Sequence, residues 1–208
     1  MRTRAAGVRS SSTLPWPRTR EAWRRRERAP HPRRDRMARE RWFDRSFEFT
    51  LPPSAMPGLI ERLRSTAPRL EALTRGLDRE TLTRREGNTW SIQENIGHLI
   101  DLEDLHLRRL DELEAGASEL TAADVENRRT WLAEHNSRPL AAILDEFRES
   151  RGTLVTRLEA WPRSQLERAG LHPRLKKPMR VIDLAFFTAE HDDHHLARIE
   201  ELLEAFVK

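Results

Sequence analysis

The 208-residue sequence contains no cysteine and no tyrosine, and only three of its 38 basic residues are lysines. Without cysteine the chain has no disulfide, no thiolate metal site and no thiol nucleophile of its own. No apolar run approaches the roughly 20 residues needed to cross a bilayer, and the basic N-terminus is not followed by the apolar stretch of a signal peptide. We therefore expect a cytoplasmic protein with no membrane contact.

Charge is unevenly distributed along the chain. Residues 1–45 contain 15 arginines and five acidic residues, whereas the whole chain has a net charge of +4, so residues 46–208 carry −6. The Arg, Pro and Ser content of residues 1–44 predicts a disordered basic arm, followed by one domain over residues 45–208. The arm is interpreted as a nucleic-acid or acidic-surface binder, a targeting segment, or an upstream extension of a protein that starts at Met37. The last interpretation is favoured, and nucleic acid is not expected to bind the acidic body.

Four long helices are predicted from apolar residues at helical spacing. They cover about residues 57–77, with Pro68 expected to kink or split the helix, then 92–115, 139–161 and 180–205. Ser91 and Glu94 form a capping box before the second helix, and Gly116 ends it. No convincing strand is found. The pattern predicts an all-α four-helix bundle, in which a connection of roughly 20 residues allows the second and third helices to run parallel.

Histidines on the last helix are the strongest functional signal. His191 and His195 lie one turn apart on a mostly apolar stripe, and a bare buried pair would have to satisfy four ring nitrogens. His98, on the second helix, also has apolar neighbours and is the natural third ligand. Three imidazoles that leave coordination positions open are typical of a metal that does chemistry rather than of a closed structural site.

Other histidines are less promising as ligands. His194 should face outward, and exposed or loop positions are expected for His31, His106, His135 and His172. The sequence His191-Asp192-x-x-His195 resembles the zinc-protease pattern H-E-x-x-H, but Asp is one methylene shorter than Glu, so a protease is not favoured. Candidates for orienting the imidazoles are the carboxylates of Glu94, Asp101 and Asp192.

Two segments carry a family resemblance. Trp90-Ser91-Ile92-Gln93-Glu94-Asn95-Ile96-Gly97-His98-Leu99 resembles the tryptophan, capped helix and histidine segment of the DinB-like superfamily. Glu190-His191-Asp192-Asp193-His194-His195-Leu196-Ala197-Arg198-Ile199 is similar to the C-terminal H-x-x-H-H signature of that superfamily. The resemblance implies a bundle of up-down-down-up topology, often a homodimer, with a divalent metal such as zinc or nickel on His98, His191 and His195. The arginine-rich arm departs from the family pattern.

The expected function is that of a metal-dependent enzyme acting on a small molecule. The better understood relatives within the resembled family are thiol-dependent enzymes, which implies a thiol S-transferase or isomerase with a low-molecular-weight thiol, while activated water would give a hydrolase. Many members of the family have no assigned activity. Iron is also compatible with three imidazoles. The alternatives are a non-catalytic metal- or small-molecule-binding stress-response protein and, with less support, a nucleic-acid accessory protein acting through the arm. No catalytic residue beyond the metal ligands is identified.

Overall fold

The structure, a computed structural model, describes residues 39–207. The predicted disordered arm therefore falls almost entirely outside the described residues. The compact unit that contains the helices begins at Trp42. Its helices are α1 (Met56–Thr74), α2 (Arg79–Thr83), α3 (Ile92–Ala115), α4 (Arg128–Leu132), α5 (Leu140–Ala160) and α6 (Val181–Phe206). The four long helices match the predicted ones. None of the helices in residues 39–207 is long and apolar enough to cross a membrane.

Local sequence signals set the ends of α3. The Ser91 hydroxyl accepts a hydrogen bond from the Glu94 amide at 3.1 Å, and the Glu94 carboxylate accepts one from the Ser91 amide at 2.9 Å. This is the predicted capping box. Gly116 ends the helix with φ of 73°, in the left-handed region that glycine adopts without strain. Helix α1 is not split at Pro68, because Ala67 and Leu70 on either side of the proline are buried in the core.

Packing partners define the order of the long helices around the bundle. Helix α1 packs against α5 and α6, and α3 packs against the same two helices, so α1 lies diagonally opposite α3. Two apolar clusters fill the interior. One contains the start of α1 and α6 with the end of α3 and α5, and the other contains the opposite halves. Helices α1 and α6 therefore run in one direction and α3 and α5 in the other, which is the expected up-down-down-up topology.

The long connection between α3 and α5, residues 117–139, is here called the crossover. Because α3 and α5 are parallel, the crossover must return along the bundle, and it does so against α3. The Thr121 amide donates to the Glu112 carboxylate at 2.7 Å near the end of α3, and the Ser91 hydroxyl donates to Asn136 at 2.7 Å near its start. Between these points Arg129 donates to Asp104 at 2.6 Å. The crossover is thus fastened along the length of the helix that carries His98.

A short antiparallel hairpin between α5 and α6 corrects the prediction that the chain has no strand. Strand β1 (Ala169–His172) pairs with β2 (Lys177–Arg180), with Ala169 opposite Arg180 and His172 opposite Lys177. Each strand has four residues and β2 contains Pro178, so neither shows an alternating apolar pattern long enough to predict a strand. The Leu120 amide donates to the Leu171 carbonyl at 3.0 Å, which ties the hairpin to the crossover.

A buried polar layer separates the two apolar clusters. Arg151 of α5 donates to Glu103 of α3 at 2.6 Å and to Asp192 of α6 at 3.0 Å, and Thr66 of α1 donates to Asp192 at 2.7 Å. All four side chains are buried, and each comes from a different long helix. Burial raises the pKa of Glu103, against the opposing effect of the Arg151 charge. This layer joins the four helices at one level of the bundle.

Candidate metal centre

Three histidines converge inside the bundle. His98 of α3 and His191 and His195 of α6 are buried, and each offers one ring nitrogen to a group in which the nitrogens lie within 4.8 Å of one another. His191 Nε2 and His195 Nε2 are 3.2 Å apart, as expected for side chains one turn apart on one helix. The ring of His98 lies 5.3 Å from the His191 ring and 4.8 Å from the His195 ring, measured between centroids. The three residues are here called the triad.

The spacing of the triad nitrogens fits a divalent metal ion. Three zinc–nitrogen bonds of about 2.0–2.1 Å in a tetrahedral site separate their nitrogens by about 3.3 Å. The His191–His195 separation already has this value. The third nitrogen, of His98, lies within 4.8 Å of both. The donor set, three imidazoles, suits zinc, nickel or iron.

Asn95 fixes the chemical form of His195. The Asn95 carboxamide nitrogen donates to the Trp90 and Ser91 carbonyls at 3.3 and 2.7 Å, so its oxygen must point the other way. That oxygen lies 2.8 Å from His195 Nδ1, which therefore carries the proton and donates to it. His195 Nε2, which faces His191 Nε2 at 3.2 Å, is then the unprotonated nitrogen of the ring.

His98 is oriented from the opposite side by the crossover. His98 Nδ1 lies 2.9 Å from the Thr130 hydroxyl, which is itself buried. Burial lowers the pKa of His98 to about 4. Burial also lowers the pKa of His191 well below its usual value, and the neighbouring imidazoles lower it further. Both rings are neutral at pH 7, which is the form that binds a metal.

Two tryptophans enclose the triad. Trp90 precedes the cap of α3, and its ring lies 4.5 Å from the His98 ring and stacks on His195 at 6.1 Å. Trp42 lies edge-on to His191 at 4.8 Å. Arg45 holds the Trp42 segment in place, because its guanidinium lies over the Trp42 ring and donates to Glu190 at 2.6 Å. These indoles restrict the access of water to the imidazoles.

A cleft of about 190 Å³ opens beside His98, between one face of α3 and the crossover. Its wall includes Thr130 together with the charged side chains of Asp101, Asp104, Arg108 and Arg129. Arg129 forms an ion pair with Asp104 at 2.6 Å, so the charges of these two side chains offset each other. The cleft therefore meets the triad at His98, whereas His191 and His195 do not line it.

The three carboxylates predicted to orient the imidazoles have other partners. Glu94 serves the cap of α3 and pairs with Arg85, with Arg85 Nε 2.8 Å away. Asp101 accepts from His135 Nε2 at 3.0 Å, and Asp192 belongs to the polar layer. The orienting contacts come instead from Asn95 and Thr130.

Three of the remaining histidines, for which exposed or loop positions were expected, are buried, although His135 does lie in the crossover. His106, His135 and His172 are each exposed by 4% or less, while His194 is half-buried and His31 lies outside the described residues. His106 lies in the interior between α3 and α6, and burial lowers its pKa well below the usual value. His135 packs on Gly97, and His172 lies in the hairpin.

The orienting residues differ in how far the sequence could have revealed them. Asn95 lies three residues before His98, on nearly the same face of α3, and Trp90 stands in the segment that carries the family resemblance, so both could have been considered. Thr130 and Trp42 lie in irregular segments. Their contacts depend on the path of the chain, and no local pattern predicts them.

The fold and the site define the class of protein: an up-down-down-up helical bundle with three converging buried histidines. The sequence profile of the DinB superfamily matches residues 62–199, and the chain belongs to that superfamily. Among curated proteins, none matches the chain significantly.

Solved structures share this fold. YfiT from Bacillus subtilis, described as a probable metal-dependent hydrolase with an unusual four-helix bundle topology, is 18% identical, with a TM-score of 0.69 over 77% of this chain and 93% of its own. The colibactin self-resistance protein ClbS, in complex with double-stranded DNA, is 15% identical, with a TM-score of 0.58 over 74% and 97%. A Streptococcus pneumoniae protein is 12% identical, with a TM-score of 0.57 over 79% and 94%.

Proposed function

We propose that this protein is a metal-dependent enzyme in which His98, His191 and His195 bind one divalent ion. The observation that carries the proposal is the convergence of three buried imidazole nitrogens within 4.8 Å, two of them on rings oriented through their other nitrogen. Outer partners of this kind are typical of metal-binding histidines. Zinc or nickel is the preferred ion, and iron also suits the ligands.

The proposed chemistry is activation of a nucleophile for attack on a small-molecule substrate. A divalent ion held there would lower the pKa of a water or thiol ligand so that the anion exists near neutral pH. Asn95 and Thr130 would keep the imidazoles aligned, and Trp42 and Trp90 would limit competing water. The cleft beside His98 would admit the substrate.

Hydrolysis and thiol transfer are both consistent with this site. The description of YfiT as a probable metal-dependent hydrolase supports activation of water. A low-molecular-weight thiol in place of water would give an S-transferase or isomerase. The cleft is consistent with an enzyme and with a non-catalytic small-molecule-binding protein, and it gives less support to a protein that binds only a metal.

DNA binding is a second candidate, raised by the complex of ClbS with double-stranded DNA. The charge of this chain opposes it, because residues 46–208 carry −6 and would repel phosphates. An electrophoretic mobility assay of residues 39–208 at low salt tests this. A shift that weakens steeply with salt would support DNA binding, and no shift would exclude contact through the bundle.

Elemental analysis tests the metal site. We expect about one zinc, nickel or iron ion per purified chain, and loss of the ion in His98→Ala, His191→Ala and His195→Ala variants. His194→Ala is the matched control, because this half-buried histidine neighbours His195 but is outside the triad. A parent chain that stays empty after reconstitution with each metal would contradict the proposal. Ester hydrolysis and thiol-transfer screens of the loaded protein would then separate the two chemistries.

A further inference from the structure

Trp90 carries a buried hydrogen-bond donor without an acceptor. Its indole nitrogen Nε1 is inaccessible to solvent and has no hydrogen-bond partner among the described residues. Buried N–H groups in folded proteins almost always have an acceptor, because leaving one unpaired costs free energy. Trp161 shows the usual arrangement, since its Nε1 donates to the Gln165 carbonyl at 3.3 Å. The described residues supply no acceptor for it, and a molecule bound beside the ring would supply one.

The position of Trp90 indicates where that acceptor would lie. Its ring contacts the His98 ring at 4.5 Å and stacks on His195 at 6.1 Å, so Trp90 is a direct neighbour of two members of the triad. The Trp90 carbonyl accepts from Asn95, the residue that orients His195. Trp131 covers another part of the ring at 5.7 Å. Trp90 is thus held against the triad from several sides.

The triad nitrogens that hold a metal or an outer partner cannot serve as the acceptor. His98 Nδ1 and His195 Nδ1 are engaged with Thr130 and Asn95, and one nitrogen of each ring is directed into the cluster. Five buried polar atoms in residues 39–207 lack a partner, and among them Trp90 Nε1 belongs to the ring that contacts two triad histidines.

We infer that the Trp90 Nε1–H donates a hydrogen bond to the non-protein ligand that occupies the open side of the metal centre. The acceptor would be an anionic or carbonyl oxygen, nitrogen or sulfur atom of that ligand. Trp90 would then select ligands that present an acceptor atom next to the metal, and it would stabilise their anionic form. This inference rests on the proposed metal site, and it adds a donor that none of the metal-ligating residues supplies.

Azide binding to the Co(II)-substituted protein tests the inference. Azide is a small anion with acceptor nitrogens, and its binding to Co(II) is followed by visible absorption. Trp90→Phe keeps an aromatic ring on His98 but removes the N–H, and Trp161→Phe is the matched control. We expect the azide dissociation constant to rise about fivefold in Trp90→Phe and to stay within about twofold of the parent in Trp161→Phe. The affinity for Co(II) is measured for each variant, so that a change in azide binding is separated from a change in metal binding.

The outcomes separate this inference from the metal site. A parent that binds no Co(II) overturns the metal site and the role of Trp90 together. Normal Co(II) binding with the same azide affinity in Trp90→Phe overturns only the role of Trp90. Because Trp90→Phe could impair folding, the indole N–H resonance of Trp90 in the zinc-loaded parent gives a second readout. It should move downfield on azide addition, and an unmoved resonance would also refute the hydrogen bond.

Discussion

At the scale of single residues, Asn95 determines which nitrogen of His195 is available to a metal. We expect Asn95→Ala to weaken metal binding by about 10–100-fold, because His195 loses the acceptor that fixes its orientation and protonation. Competition with a chromophoric chelator measures this. Asn95→Asp keeps an acceptor oxygen and should lose less affinity. Equal losses in both variants would show that the Asn95 donor contacts, not the acceptor, matter.

Gly97 is required by the packing of the crossover on α3. A Cβ at this position would lie 2.2 Å from Cγ of the buried His135 ring, which is held by Asp101. Gly97→Ala should therefore destabilise the protein by about 1–3 kcal/mol in urea unfolding. Gly152→Ala in α5 is the control, since a Cβ there meets nothing within 4 Å and should stabilise the helix by about 0.5–1 kcal/mol. A neutral Gly97→Ala would mean that the crossover is loosely packed.

His172 should make stability depend on pH. Burial, with the charges of Arg109 and Arg174, lowers the pKa of His172 to about 4 in the folded protein. The unfolded chain, with a histidine pKa of about 6.5, binds the proton first as the pH falls. The contribution of His172 to the free energy of unfolding is thus complete above about pH 6.5, and it declines as the pH falls towards 4.

Urea unfolding at pH 7 and pH 5 measures this dependence. When the pH is lowered from 7 to 5, the free energy of unfolding of the His172→Asn variant should fall by about 1–2 kcal/mol less than that of the parent. Asparagine keeps an oxygen in the position of Nδ1, which accepts from the Leu175 amide at 3.2 Å. Identical losses in the parent and the variant would contradict a neutral buried His172.

The sequence was informative about the ligands and less so about their surroundings. His191 and His195 could be paired from their spacing and apolar neighbours, because both properties are local to one helix. Thr130 contacts His98 from a polar segment 32 residues away. Such a contact depends on the route of the crossover, which helical periodicity does not encode.

At the scale of secondary-structure elements, Arg151 connects α5 to α3 and α6. Arg151→Met would leave the buried carboxylates of Glu103 and Asp192 without their cation, and we expect a loss of about 3–5 kcal/mol in unfolding free energy. Arg148→Ala on the exposed face of α5 should cost less than about 1 kcal/mol. A loss in Arg151→Met no larger than the loss in the control would show that the layer is not a structural link.

The long helices were predictable because residues typical of helix ends stand at their boundaries in the sequence. The Ser91 and Glu94 capping box, Gly116 and Pro139 each lie at or beside an observed boundary. The hairpin was missed because its strands are held by contacts with other parts of the chain and not by a pattern within the strands. Four-residue strands have little apolar pattern of their own, and β1 is also held by Leu120 of the crossover.

At the scale of the whole molecule, the parallel packing of α1 and α6 has a consequence for the rate of folding. Bundles that fold quickly are built from contacts between sequence neighbours. Here α1 packs on α6, and Arg62 meets Glu190 across 128 residues of sequence. We expect refolding in stopped-flow experiments to be slower than for up-and-down bundles of similar length. Because α6 carries two of the three histidines and α3 carries the third, tight metal binding should begin only after α6 has docked on α3, so metal binding would report that docking step.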